Sequence, residues 1–89
     1  MKKRRGRLEI IRDILRTVSQ KHEIGPTKLL QKSNLSPQVF REYIGELEKK
    51  GFLRKIIHKN HKLFQITAKG MSFLEQYRTI ERFIEGFGL

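Results

Sequence analysis

The side chains able to bind a metal or move a proton are few, and their spacing suits neither task. His58 and His61 flank Lys59-Asn60, a separation that a rigid turn can convert into a chelate. The chain has no cysteine, and no carboxylate lies near the pair, so the imidazoles are read as touching water or phosphate and no metal site is expected. His22 stands alone near a helix end. Glu46 and Glu48 precede Lys49 and Lys50 on one expected helix, the pattern of surface ion pairs and not of an opposed acid and base. There is no glycine-rich phosphate loop, and no serine has a visible base partner. Neither a cofactor nor an enzymatic activity is expected.

What the side chains do offer is positive charge. Twenty Lys and Arg stand against nine Asp and Glu, giving a formal charge of +11 and an isoelectric point near 10.5. Five of the first seven residues are basic. From Lys49 to Leu74 there is no acid at all, while Lys49, Lys50, Arg54, Lys55, Lys59, Lys62 and Lys69 fall within that stretch. Charge segregated in this way makes a face, and a strongly basic domain has the electrostatic footprint of a nucleic-acid binder. A basic protein kept in solution by its charge, or one lying on an anionic membrane, shares the composition but does not need the segregation.

Those residues have to be positioned by a small domain. Eighty-nine residues, 37% of them hydrophobic, suffice for one modest core and leave no room for a deep substrate cavity. The spacing of Leu8, Ile11, Ile14, Leu15 and Val18 predicts a helix from about Arg7 to Gln20, with these residues on its buried stripe. Gly25-Pro26 breaks the chain, and Pro26 suits the first position of a short helix running to about Lys32, with Leu29 and Leu30 inward. Ser36 is a good N-cap and Pro37 opens a third helix that runs to Lys50 before Gly51. Two extended runs follow, Phe52 to His58 and Lys62 to Ile66, joined by Lys59-Asn60-His61 and read as a β-hairpin. Thr67 caps a last helix, Ala68 to Glu85.

On the third helix Phe40, Ile44 and Leu47 form a narrow apolar seam. At about 100° per residue, Gln38, Arg41, Glu42, Gly45 and Lys49 gather on the other side. Gln, Arg and Lys hydrogen-bond bases or phosphates, and a glycine lets the backbone come close. The hairpin that follows adds Arg54, Lys55, Lys59, Asn60 and Lys62, and the N-terminal arm adds Lys3, Arg4 and Arg5.

The run Asn34-Leu35-Ser36 through Leu47-Glu48-Lys49-Lys50-Gly51-Phe52-Leu53, then Phe64-Gln65-Ile66-Thr67-Ala68-Lys69-Gly70, resembles the winged-helix pattern of many prokaryotic regulators. With Leu8-Glu9-Ile10-Ile11 at the start, the chain is most similar to the small basic archaeal winged-helix DNA-binding proteins. The resemblance implies a mainly helical fold with a small β-hairpin, a winged helix-turn-helix. It makes helix 37–50 the recognition helix for the major groove and hairpin 52–66 the wing. It also implies a single domain, with residues 1–6 a flexible basic arm, 7–67 the winged helix and 68–89 a dimerisation helix. Glu42 departs from the pattern, since many relatives carry a neutral or basic residue there.

On the last helix Phe73, Tyr77, Ile80, Ile84 and Phe87 recur at a heptad spacing, a seam for a second copy of the chain. The reading is therefore a homodimer that binds double-stranded DNA as a transcriptional regulator or chromatin-associated protein. An RNA-binding or a protein-interaction module on the same fold is the alternative, although RNA readers usually stack bases on exposed aromatics and most aromatics here fall on helical seams. No small-molecule ligand is implied. No apolar run reaches the length of a membrane span, and residues 8–13 are too charged to be the apolar core of a signal peptide. The expected location is the cytoplasm, on the nucleoid.

Overall fold

A computed structural model describes residues 5–89. The order is α1 (Arg7–Lys21), α2 (Pro26–Ser33), α3 (Pro37–Lys49), β1 (Leu53–His58), β2 (His61–Ile66) and α4 (Ala68–Glu85). Each junction has a local cause. The Gly6 N–H donates to the Glu9 carboxylate at 3.1 Å and starts α1. Ser36 accepts from the Val39 N–H and Thr67 from the Gly70 N–H, satisfying amides that open α3 and α4. Asn34 takes the left-handed conformation (φ 57°) that turns α2 toward α3.

The core lies where three helices meet the hairpin. Ile14, Leu15 and Val18 of α1, Leu29 of α2 and Leu47 of α3 are almost wholly buried. Leu53 and Phe64 close the core from the hairpin, and an isolated bridge from Ile24 to Phe64 ties the α1–α2 connection to β2. The strands pair antiparallel from Leu53↔Ile66 to His58↔His61.

Two expectations are corrected. Leu8 does not join the buried stripe of α1 but is 56% exposed. Periodicity gave its side of the helix correctly, but at that point of α1 this side faces an open groove along α4 and not the core. The hairpin loop is Lys59-Asn60 alone, with φ of 48° and 66°, the two positive angles of a tight turn whose twist matches that of the strands. His61 therefore belongs to β2 and faces His58 directly.

Candidate nucleic-acid interface

The recognition helix expected at 37–50 is α3. Its inner residues Phe40, Ile44 and Leu47 are buried, so the phase of the helix is fixed by the core. Gln38, Arg41, Glu42, Gly45 and Lys49 are all exposed, and at about 100° per residue they share one side of the helix. A methyl group placed on Gly45 would meet nothing within 4 Å, so the middle of that side is open to an approaching surface.

The hairpin is held to α3 by a joint at the start of α4. Gly51 takes φ 82° to end α3 and is followed within two residues by β1. The Thr67 hydroxyl donates to the Gly51 carbonyl at 2.6 Å, and the Lys69 ammonium donates to the Lys50 carbonyl at 2.7 Å while lying over the Phe52 ring. Gly70 is buried, and a Cβ there would come within 2.5 Å of the Phe52 carbonyl. These contacts fix the angle at which the hairpin leaves α3.

Along the hairpin Arg54, Lys55, Lys59, Asn60 and Lys62 are exposed. Among the described residues, the ion pairs involve the cations Arg5, Arg7, Arg12, Arg16 and Lys50. Arg41, Lys49, Arg54, Lys55, Lys59 and Lys62 take no part in them. Arg7, Arg12 and Arg16 of α1 are thus matched internally, while Lys21 at its end and the cations of α3 and the hairpin stay outside the ion pairs among the described residues.

The arm divides. Lys3 and Arg4 lie outside the described residues. Arg5 is half-buried, and its guanidinium donates to Asp13 at 3.0 Å and to the Ser33 carbonyl at 2.6 Å. Arg7 pairs with Glu46 and lies over the Tyr43 ring. Glu46 also takes Lys50, an expected surface pair, whereas Glu48 has no ion pair among the described residues. On α4, Phe73 packs edge-on against Phe52 (5.8 Å) and Tyr77 beneath Arg12 (5.3 Å), so the base of the expected seam has partners within the chain. Ile80, Ile84 and Phe87 are exposed and have none in the core.

Sequence reasoning missed Thr27 and Lys28, which with Gly25 and Pro26 line a groove beside Asn60, His61 and Lys62. The bridge from Ile24 to Phe64 brings the start of α2 to the tip of the wing. Charge was the available signal, since α2 carries Lys28 and Lys32 and no acid. Phe83 was missed as well. It is 69% exposed and meets Phe87 edge-on at 5.2 Å.

A helix of open polar side chains followed immediately by a cationic hairpin is the arrangement of a winged helix. Over residues 4–85 the sequence matches the winged helix-turn-helix family. The chain belongs to that family. Sso10a-2, a DNA-binding protein from Sulfolobus solfataricus, matches with a TM-score of 0.76 and 26% identity, over 93% of this chain and 85% of that one. A mutant MarR from E. coli, complexed with operator DNA, shares the fold at a TM-score of 0.68 and 19% identity, covering 74% and 49% of the two chains. An uncharacterised protein of Methanocaldococcus jannaschii is 35% identical over 81 residues, 91% of this winged helix-turn-helix chain, which spans only 36% of that protein's length. No helix among the described residues is long and apolar enough to cross a membrane.

Proposed function

We propose that the chain binds double-stranded DNA with some preference for sequence, as a homodimeric regulator or chromatin-associated protein. A helix of 13 residues, about 20 Å long, presents Gln38, Arg41, Gly45 and Lys49 to the major groove, which is about 12 Å wide and exposes a distinct donor and acceptor pattern for every base pair. Arg41 is suited to guanine, and Glu42 to the cytosine amino group. The wing lays Arg54, Lys55, Lys59, Asn60 and Lys62 along the phosphates, which set register and supply affinity. Lys3 and Arg4 add cations ahead of α1, and Arg5 itself donates to the Ser33 carbonyl at the end of α2. Residues 7–67 are then the reading unit, braced by the start of α4 at Lys69, Gly70 and Phe73, and the remainder of 68–89 joins two copies.

The observation that carries this reading is the asymmetry of charge: the arginines of α1 are matched by Asp13, Glu46 and Glu81, while Arg41 and Lys49 of α3 and the cations of the hairpin are exposed and outside the ion pairs among the described residues. Unmatched cations on a projecting surface repel one another unless a polyanion covers them. Sso10a-2, with the same fold, is described as DNA-binding, which supports the reading. The test is a titration with duplex DNA at several salt concentrations. Log affinity is expected to fall by about 0.9 per phosphate neutralised for each decade of salt. A flat dependence overturns the proposal and points to a protein partner.

A further inference from the structure

Among the described residues of the hairpin, one large hydrophobic side chain is exposed. Ile57 is 68% exposed, although strand alternation puts it on the face that carries buried Leu53 and Phe64. It lies past the edge of the core, toward the turn. Lys62 is directly across from it, Lys55 precedes it by two residues, and Lys59 follows it by two in the turn. No acid occurs anywhere on the hairpin.

Single exposed aliphatics are common on protein surfaces. This one differs in being collared by cations at the tip of a projecting element. An acid-rich partner would satisfy the lysines and leave the isoleucine in a polar setting. An apolar partner would do the reverse. What fits both is a narrow apolar strip bordered by two lines of negative charge. The minor groove of duplex DNA, about 6 Å wide, offers such strips along its walls, where the C–H faces of the sugars lie inside the rims of phosphate and above a floor of base-edge acceptors. Proteins that enter it commonly place aliphatic side chains against or between its base steps.

We infer that Ile57 is an apolar contact of the wing with the minor groove, seated between the phosphates that Lys55, Lys59 and Lys62 engage. The inference rests on the duplex-binding reading above and adds to it a contact that is not ionic. It has a distinctive signature, because losing an apolar contact lowers affinity without changing the number of counterions released.

The experiment compares Ile57→Ser, Ile57→Leu and Lys62→Ala with the parent protein, titrating one duplex at several salt concentrations. Residue 57 contributes nothing to the core, so each variant is expected to keep the parent's circular dichroism. Ile57→Ser should weaken binding on the order of tenfold with the salt slope unchanged. Ile57→Leu should restore most of the affinity, and Lys62→Ala should reduce the slope by about one. Ile57→Ser binding as tightly as the parent overturns the inference and leaves duplex binding intact. A change in sedimentation with DNA binding unaltered also overturns it, by assigning Ile57 to contact between copies. A parent with no salt-dependent binding removes the reading on which the inference stands.

Discussion

At the scale of single residues, the sharpest constraint is at Gly70. Its Cα sits against the Phe52 carbonyl and the Ile66 side chain, with 2.5 and 2.6 Å available to a Cβ that needs well over 3 Å. The opposing carbonyl is backbone at the joint between α3 and the hairpin, so it cannot swing aside as the end of a flexible side chain would. Gly70→Ala is expected to destabilise the fold by about 1–3 kcal/mol, read as a lower midpoint in urea at unchanged slope. Gly45 is the contrasting case. A Cβ there has open space, and α3 gains helix propensity, so Gly45→Ala should stabilise by up to about 1 kcal/mol. If the backbone at Gly45 approaches DNA, the same variant should bind duplex more weakly despite its greater stability. Arg41→Ala tests base reading on the same helix. It should lose roughly 1–3 kcal/mol of binding to a preferred sequence and less to an unrelated one, whereas Lys59→Ala should weaken both alike. Equal losses for Arg41→Ala on every duplex would make it a phosphate contact.

At the scale of elements, α1 is tied to its neighbours through Asp13. Its carboxylate accepts from Arg5 at 3.0 Å and from Arg12 at 2.9 and 3.0 Å, and Arg12 reaches on to Glu81 of α4 at 2.7 Å. Partial burial opposes the charged form of Asp13, but the hydrogen bonds and positive charge of Arg5 and Arg12 outweigh it and hold the carboxyl below its ordinary value of 3.8. A carboxyl depressed in the folded state contributes stability that is complete above the unfolded pKa and is lost as pH falls through the folded one. Stability should therefore decline below about pH 4, and Asp13→Asn should flatten that decline while lowering stability at neutral pH. An unchanged acid limb would show that the network is too exposed to matter. None of these contacts was legible in the sequence, because Arg5, Asp13 and Glu81 meet only once the helices have packed. What periodicity does reveal is phase. It placed Phe40, Ile44 and Leu47 inward on α3, and with them the open side of that helix, but it could not show that Leu8 faces an open groove beside α4 and not the core. The hairpin was legible from its composition. Its register was not, because the turn places Lys59 and Asn60 at positive φ without the glycine that usually marks such a turn.

At the scale of the whole molecule, the end of α4 is the part the domain does not use. Leu8, Phe73, Tyr77, Ile80 and Ile84 line an apolar groove of about 670 Å³ between α4 and the start of α1. Beyond it Phe83, Phe87 and Leu89 are 69, 70 and 88% exposed. Phe73 and Tyr77 already have partners within the chain, so a seam for a second copy shifts toward the C-terminus, to Ile80, Phe83, Ile84 and Phe87. A two-fold dimer made there would cover the stripe with its own equivalent, since such an interface joins the same patch on both subunits. It would also set two copies of α3 at a fixed separation, favouring DNA with two half-sites related by the same symmetry. Ile84→Glu combined with Phe83→Glu places charge in the middle of the seam without touching the core. The double variant should sediment as a monomer, and a mass equal to the parent's would rule out this interface. Loss of a dimer made there would have a second consequence that separates association from folding. If one chain holds a half-site, the second is bound at the high effective concentration set by the tether, so a monomeric variant should lose far more affinity for paired half-sites than for one alone. Parallel losses on both duplexes would mean that α4 matters to the reading unit itself, through Glu81 and Arg12, and not to the spacing of two copies.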